Sequence, residues 1–257
     1  GSLIRKFSGL SYAEHKAYAN VKTTEFDLQS YKKFYEGLSF HYIKKELARL
    51  AHRNKLDQFI KILILGTQRN FFALHFAQKA DIVHVVHSDK EFLKCLQSAA
   101  TYHRLKNITT FALPMNDFVA KEEYDLIYIQ DDFIANHKVH ESTIKKGVEL
   151  MNSNSKLFIS APGVGQPLMN IIYNAKNGKY KISLKNLKSF LGSILFNKIL
   201  QFKIYPCSFF SKNEFKKQLQ KNNLRVINIG CVDTVIEGIY PFKTGPFVRK
   251  WEALCKK

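Results

Sequence analysis

A turn that follows a short apolar run carries the first residues that suggest chemistry. Ile62 to Leu65 is a run of four aliphatic residues, and Gly66 follows it directly, before Thr67-Gln68-Arg69-Asn70. Loops that hold phosphates or cofactors begin in this way, because glycine lets the backbone approach a ligand closely. The further glycines of such loops are absent here. The residues alone leave three possibilities: a cofactor site, the remnant of one, or only a strand and a turn.

Acidic residues follow two other apolar runs. Asp131 and Asp132 follow the run 125–129 after Gln130, and they can bind a substrate, a cofactor or, as a pair, a divalent cation. They can equally solvate the loop and cap the next helix. Asp89 can reach a ligand or serve as the N-cap of a helix that begins at Lys90, and we prefer the capping role. No metal site is predicted.

The composition is that of an ordinary globular protein. The chain has 257 residues, 46% of them hydrophobic, and no apolar run is long enough to predict a transmembrane helix. The cysteines are scattered without CxxC spacing, which indicates a reducing compartment and argues against a disulfide framework or a zinc site. They are Cys95, Cys207, Cys231 and Cys255. We therefore expect a cytoplasmic protein, with peripheral attachment to a membrane as a further possibility.

The net charge of +19 is large for a chain of this size. Such a charge indicates a polyanionic partner, which can be nucleic acid, an anionic membrane or a phosphorylated substrate. It can also reflect a lysine-rich proteome. Between Glu149 and Glu214 there is no acidic residue but there are many lysines, interleaved with apolar residues. This segment suits either an interfacial helix on anionic lipid or an ordinary amphipathic lid.

The elements that must position these residues alternate between strand and helix. Residues 11–60 have helical spacing and predict a helical cap. Short apolar strands that alternate with helices predict an α/β fold with a parallel sheet, in which ligands bind at the carboxyl ends of the strands. The predicted strands are 62–65, 81–86, 108–113, 125–129 and 156–160, and the predicted helices are 71–78, 90–105 and 141–151. A capping box formed by Ser211 and Glu214 predicts a further helix, followed by a strand up to residue 229.

Four stretches, in order and at the right separations, carry a resemblance to a known family. They are residues 62–87, 111–118, 124–137 (Y-D-L-I-Y-I-Q-D-D-F-I-A-N-H) and 209–229 (beginning F-F-S-K-N-E-F). From about Tyr35 onward the chain resembles class I S-adenosylmethionine-dependent methyltransferases, and within them the subgroup of ubiquinone-biosynthesis O-methyltransferases. The resemblance implies a Rossmann-like fold with a mostly parallel seven-stranded sheet and helices on both faces. It also implies a helical cap at 1–60 and an α/β domain at 61–257 with a basic apolar insertion at 163–210.

The resemblance also implies a cofactor site for S-adenosylmethionine and an acceptor site beside it. His137 matches the histidine of the subgroup's "EVLEH" stretch and is the candidate general base, with Asp132 as a second catalytic candidate. His137 can instead cap a helix or lie on the surface. The residues implied to bind the cofactor are Gly66, Thr67, Gln68, Asn70, His87, Ser88, Asp89, Asn116, Asp117 and Gln130.

The chain departs from the family's pattern at four positions of the cofactor-binding region. Ile64 and His87 stand where the family has acids, and Gln68 and Asn70 stand where it has glycines. Three functions are therefore kept. The first is a methyltransferase acting on a hydroxyl or other heteroatom of a small-molecule, glycan or lipid-linked acceptor. The second is a methyltransferase-like domain that has lost its cofactor and acts as a binding or scaffold partner, and the third, based on charge alone, is an RNA methyltransferase.

Overall fold

The computed structural model describes residues 59–66, 72–129, 137–163, 200–201, 208–232 and 250–257. The predicted helical cap at 1–60 and most of the predicted insertion at 163–210 lie outside these ranges, so both stay predictions. No helix in the described part of the chain is long and apolar enough to cross a bilayer.

Short strands and helices alternate along the described residues. The strands are β1 (Lys61–Leu65), β2 (Ile82–Val86), β3 (Ile108–Phe111), β4 (Leu126–Ile129), β5 (Lys156–Pro162), β6 (Leu200–Gln201), β7 (Ser208–Phe209), β8 (Arg225–Val232) and β9 (Lys250–Lys256). The helices are α1 (Phe72–Phe76), α2 (Lys90–Tyr102), α3 (His137–Glu149) and α4 (Lys212–Lys221), with a 3-10 turn at Met115–Asp117. The predicted types of element are confirmed wherever the structure describes them.

Seven of these strands form one sheet in the order β3-β2-β1-β4-β5-β9-β8. β2 pairs in parallel with β1 and with β3, whereas β9 runs antiparallel to both β5 and β8. β6 and β7 form a separate antiparallel ribbon. The prediction of an α/β fold with a seven-stranded, mostly parallel sheet is therefore confirmed.

The chain divides into two compact units, and the first contains β1 to β3 with α1 and α2. β1 and β2 are apolar almost throughout because both their faces are covered, and Leu63 and Val83 are fully buried, whereas the edge strand β3 has no buried residue. Asp125 fixes the start of β1, since its carboxylate accepts hydrogen bonds from the N–H groups of Ile60 and Lys61 at 3.1 and 2.9 Å. These two hydrogen bonds hold the start of β1 against Asp125.

The second unit contains most of β4, all of β5 to β9, and helices α3 and α4. Tyr128 and Phe158 stack with ring centroids 4.8 Å apart, and both are fully buried. Gly147 lets α3 approach the sheet closely, because a Cβ there would lie only 3.1 Å from a methyl group of Leu157 and 3.2 Å from one of Ile129. The contact between α3 and the strands beneath it therefore depends on the absence of a side chain at residue 147.

The aromatic residues near the C-terminal strand are part of this core. Phe209, Phe210 and Trp251 are buried, and the indole Nε1 of Trp251 donates a hydrogen bond to the carbonyl oxygen of Phe210 at 3.0 Å. These three side chains therefore pack as core residues of the second unit.

Helix α2 ends three residues earlier than the sequence predicts. Its last helical residue is Tyr102, because Arg104 adopts a left-handed φ of 58° that stops the helix. The N–H of Leu105 then donates to the carbonyl of Ala100, and the N–H of Arg104 donates to that of Thr101. Helix α4 ends in the same Schellman geometry, with Asn223 at φ 60°.

Other predicted boundaries shift by a few residues. β3 ends at Phe111 and not at 113, and β5 continues to Pro162. α3 begins at His137, four residues before the predicted start at 141. None of the residues from 137 to 140 is a glycine or a proline, so nothing there prevents the helix from starting earlier. The predicted cap of α4 is confirmed, because the Ser211 hydroxyl accepts from the N–H of Glu214 at 3.2 Å.

Candidate functional site

The carboxyl end of β1 carries the glycine turn of the predicted cofactor loop. Gly66 follows Leu65 directly, where the strand stops. Thr67, Gln68 and Asn70 lie outside the described residues, so their predicted contacts with a cofactor stay predictions. What the structure adds is that the turn begins at the end of a buried parallel strand, on the edge where ligands of such sheets bind.

His87 lies at the carboxyl end of β2 and is held there by three contacts. Its backbone N–H donates to the carbonyl oxygen of Phe111 at 3.1 Å, which extends the pairing of β2 with β3. Its ring nitrogen Nδ1 accepts a hydrogen bond from the backbone N–H of Asp89 at 2.9 Å. The ring also packs on Phe92, with centroids 4.8 Å apart, and the side chain is only 5% exposed.

These contacts determine which hydrogen-bonding group His87 can offer. Because Nδ1 accepts from Asp89, the neutral imidazole carries its proton on Nε2. The side chain of His87 is therefore a donor through Nε2, whereas an acid at the same place would be an acceptor.

Asp89 caps helix α2, as the sequence favours. One oxygen of its carboxylate accepts from the N–H of Glu91 at 3.0 Å and from that of Phe92 at 3.1 Å. These are two of the N–H groups that an α-helix leaves without internal partners at its start. Ser88, between His87 and Asp89, is exposed. The β2 end thus presents an exposed hydroxyl beside a carboxylate that already has a structural role.

Asn116 and Asp117 lie in the 3-10 turn after β3, and both are exposed. The turn closes through the N–H of Asp117, which donates to the carbonyl oxygen of Pro114 at 3.0 Å. It is anchored by the buried Phe118, whose ring packs on Phe111 at the end of β3 with centroids 5.3 Å apart. Two exposed polar residues thus follow the carboxyl end of β3, where the resemblance implies contacts with the cofactor.

Three predicted site residues follow β4: the cofactor contact Gln130 and the catalytic candidates Asp132 and His137. Gln130 and Asp132 lie outside the described residues. His137 is the first residue of α3, and the structure describes only its backbone, so neither of its possible roles is tested. Their catalytic roles stay predictions. Among the described residues there is no group of three His, Cys, Asp or Glu side chains placed to hold a metal ion.

A buried polar cluster in the first unit was not predicted. His84, in the middle of β2, places Nδ1 2.7 Å from the hydroxyl of Tyr124 and 3.5 Å from a carboxylate oxygen of Glu122. Burial lowers the pKa of His84, and the negative charge of Glu122 offsets this only in part. Burial and the same charge raise the pKa of Tyr124 to about 12. The only signal in the sequence is the histidine that interrupts the apolar run I-V-H-V-V.

In sequence, no protein-family model matches the chain, and no curated protein does either. Solved structures do resemble it. Magnesium protoporphyrin IX methyltransferase from Synechocystis PCC 6803, with bound SAH, aligns at a TM-score of 0.54 and 11% identity over 84% of this chain and 82% of that one. This chain has a class I methyltransferase fold. The N-methyltransferase NodS from Bradyrhizobium japonicum WM9 aligns at a TM-score of 0.52 and 11% identity, over 84% and 96% of the two chains. An S-adenosylmethionine-dependent methyltransferase from Clostridium acetobutylicum ATCC 824 aligns at 0.52 and 10%, over 85% and 97%.

Within this methyltransferase fold the described site residues share one edge of the first unit. Gly66, His87, Ser88 and the pair Asn116–Asp117 follow three neighbouring parallel strands, and the carboxyl ends of such strands lie at the same edge. At identities of 10 to 11% the likeness shows the fold, and the chemistry has to be argued from these residues.

Proposed function

We propose that this chain is a methyltransferase that uses S-adenosylmethionine. The observation that carries the proposal is the sheet, with antiparallel β9 inserted between β5 and β8, in a chain that aligns with solved methyltransferases over most of its length. A second support is that the exposed polar residues after β2 and β3 stand on the edge where such sheets bind ligands.

The residues on that edge suit an adenosine. The side chains of Asn116 and Asp117 provide acceptors for an adenine amino group, and Asn116 also provides a donor for a ring nitrogen. The exposed Ser88 hydroxyl can bond to a ribose hydroxyl oxygen, whereas His87 is a donor where an acid would accept and its Nε2 is buried. When bound, the cofactor supplies a methyl group activated by a positively charged sulfur. The chain's own task is to hold the cofactor and to orient the acceptor, which can supply much of the rate enhancement.

We further propose that the acceptor is a hydroxyl or another heteroatom of a small molecule, a glycan or a lipid-linked compound. The support is the resemblance of residues 124–137 and 209–229 to the subgroup of ubiquinone-biosynthesis O-methyltransferases. A hydroxyl is only weakly acidic, so its methylation benefits from a general base. His137 is the proposed base, with Asp132 beside the acceptor.

Calorimetry with S-adenosylmethionine and with S-adenosylhomocysteine tests the proposal directly. Asp117→Ala removes a proposed adenine contact and should weaken binding about tenfold, as expected for a lost hydrogen bond to a charged group. Asp81→Ala is the matched control: it removes an exposed carboxylate at the opposite, amino end of β2 and should leave the affinity unchanged.

The outcomes separate the three functions suggested by the sequence. Failure to bind either compound at about millimolar concentration would mean a binding free energy weaker than about 4 kcal/mol. That result would refute the proposal that the chain is an enzyme. The chain would then be a cofactor-free binding or scaffold partner. RNA affinity that falls steeply with salt, together with methylation of that RNA, would instead support an RNA methyltransferase.

A further inference from the structure

Helix α4 presents a positive surface without balancing acids. Phe215 and Leu219 are fully buried and anchor one side of the helix to the second unit. The opposite side is exposed and contains neutral Asn213 and Gln220 between two rows of lysines. The lysines of these rows, all exposed, are Lys212 and Lys216 in one row and Lys217 and Lys221 in the other.

The other long helices balance their lysines with acids. In α2, Lys94 lies 2.8 Å from Glu91, and in α3 Lys145 lies 3.5 Å from Glu141. Helix α4 has one acidic residue, Glu214. Its carboxylate accepts a hydrogen bond from the neutral Gln218 amide at 3.0 Å. None of the α4 lysines forms an ion pair with any residue that the structure describes. This surface is therefore open to an external anion.

The arrangement is also unfavourable for the free helix. Lys212 and Lys216 are four residues apart, as are Lys217 and Lys221, so each pair places like charges on neighbouring turns. Lys212 is the first helical residue, where the helix dipole already concentrates positive charge. A surface that carries many negative charges would relieve both repulsions.

We propose that α4 docks on a membrane surface that carries anionic lipids. Lysine is a compact point charge that suits lipid phosphates and carboxylates, and polybasic segments bind such surfaces additively. Binding of single-stranded nucleic acid relies largely on exposed aromatic residues on which bases stack, and the exposed side of α4 has none. The edge strand β8 that follows the helix exposes Arg225 and the aliphatic Ile227, which is 48% exposed. An exposed aliphatic residue next to cations suits lipid and does not suit bases.

Vesicle flotation with the whole chain tests this surface. Phosphatidylcholine vesicles are compared with vesicles that contain about one third phosphatidylserine, whose negative surface attracts cations. The wild type should bind only the second kind. Lys216→Gln with Lys217→Gln keeps helix-forming residues and should weaken that binding about 25-fold, because each lysine near such a surface contributes about fivefold.

The matched control is Lys106→Gln with Lys121→Gln, which removes two exposed lysines from the first unit and changes the net charge equally. It should weaken vesicle binding by less than about threefold, because neither lysine belongs to the proposed α4 surface. Equal losses in the two variants would mean that only net charge matters and would overturn the proposal, as would no binding to anionic vesicles. Tighter binding to homopolymeric RNA, lost on the same α4 substitutions, would reassign the surface to nucleic acid. Because cofactor binding is not needed here, failure of this test leaves the proposed enzyme activity untouched.

Discussion

Replacing His84 with asparagine should make the protein's stability less sensitive to mild acid. His84 is buried in β2 between Tyr124 and Glu122, and Phe111 contacts the edge of its ring. Because burial lowers the pKa of His84, the folded state holds this side chain neutral at a pH where the unfolded chain begins to bind a proton. The Tyr124 hydroxyl, whose pKa is raised to about 12, stays protonated throughout this range.

The sign and the size of the effect follow from this difference in protons bound. Below the unfolded pKa of about 6.5, the unfolded chain gains a proton that the folded chain resists, so stability falls as the pH falls. One such group changes the free energy of unfolding by at most about 1.4 kcal/mol per pH unit. The contribution is fully present above that pKa and is lost as the pH falls from there toward the lowered pKa of the folded state.

Asparagine is the informative replacement for His84. Its amide nitrogen lies close to the place of Nδ1, so it can keep the contact with Tyr124 without titrating. The smaller side chain gives up ring packing, which should cost about 1 to 2 kcal/mol at about pH 8. As the pH falls below about 6.5, only the wild type loses the titrating contribution, so the gap between the two proteins should narrow.

Urea denaturation of both proteins at several values between about pH 8 and about pH 5.5 measures this gap. His103→Asn, which removes a half-exposed histidine from the same unit, is the control for loss of a histidine in general, and the His84 effect is taken relative to it. If the difference in stability stays constant or widens as the pH falls, burial does not lower the pKa of His84 and the reasoning is wrong.

The remaining predictions concern the ends of helices α2 and α4. Arg104→Gly should raise the free energy of unfolding by about 1 kcal/mol, because glycine adopts the left-handed φ of 58° without cost. Asn223→Gly at the end of α4 should raise it by less, because asparagine already tolerates the left-handed region. Urea denaturation compares the two variants, and an equal gain would contradict the conformational argument. Asp89→Ala should lower the free energy of unfolding by about 1 kcal/mol through loss of the bonds to the N–H groups of Glu91 and Phe92, and a thermal melt followed by circular dichroism that does not shift would mean that the cap contributes nothing.

The fold is largely predictable from the sequence because its signals are local. Short apolar runs followed by helical spacing are present in each stretch of chain and predict every strand from β1 to β5. The capping roles of Asp89 and Ser211 are also local, since the side chain and the N–H groups that it binds lie within three residues. The early end of α2 is not local in this sense, because arginine gives no sign that it will adopt a left-handed conformation at residue 104.

The site is predictable only in its outline. That His87 ends the second strand follows from the spacing, but its role as a donor depends on the loop bending so that the N–H of Asp89 reaches Nδ1. The bond between His84 and Tyr124 joins residues 40 positions apart, and neither residue type demands the other. A pattern reports which residues share an edge, whereas the geometry of individual atoms decides which of them is a donor and which an acceptor.

The place of β9 in the sheet has a consequence for how the chain acquires its structure during synthesis. β8 leaves the ribosome before β9, yet its partner in the sheet is β9, which also covers the edge of β5. Until residues 250–256 are made, β5 has an open edge on that side and β8 has no strand to join. The second unit therefore closes late and through contacts distant in sequence, which slows its folding and leaves that edge open to pairing with other chains until β9 is made.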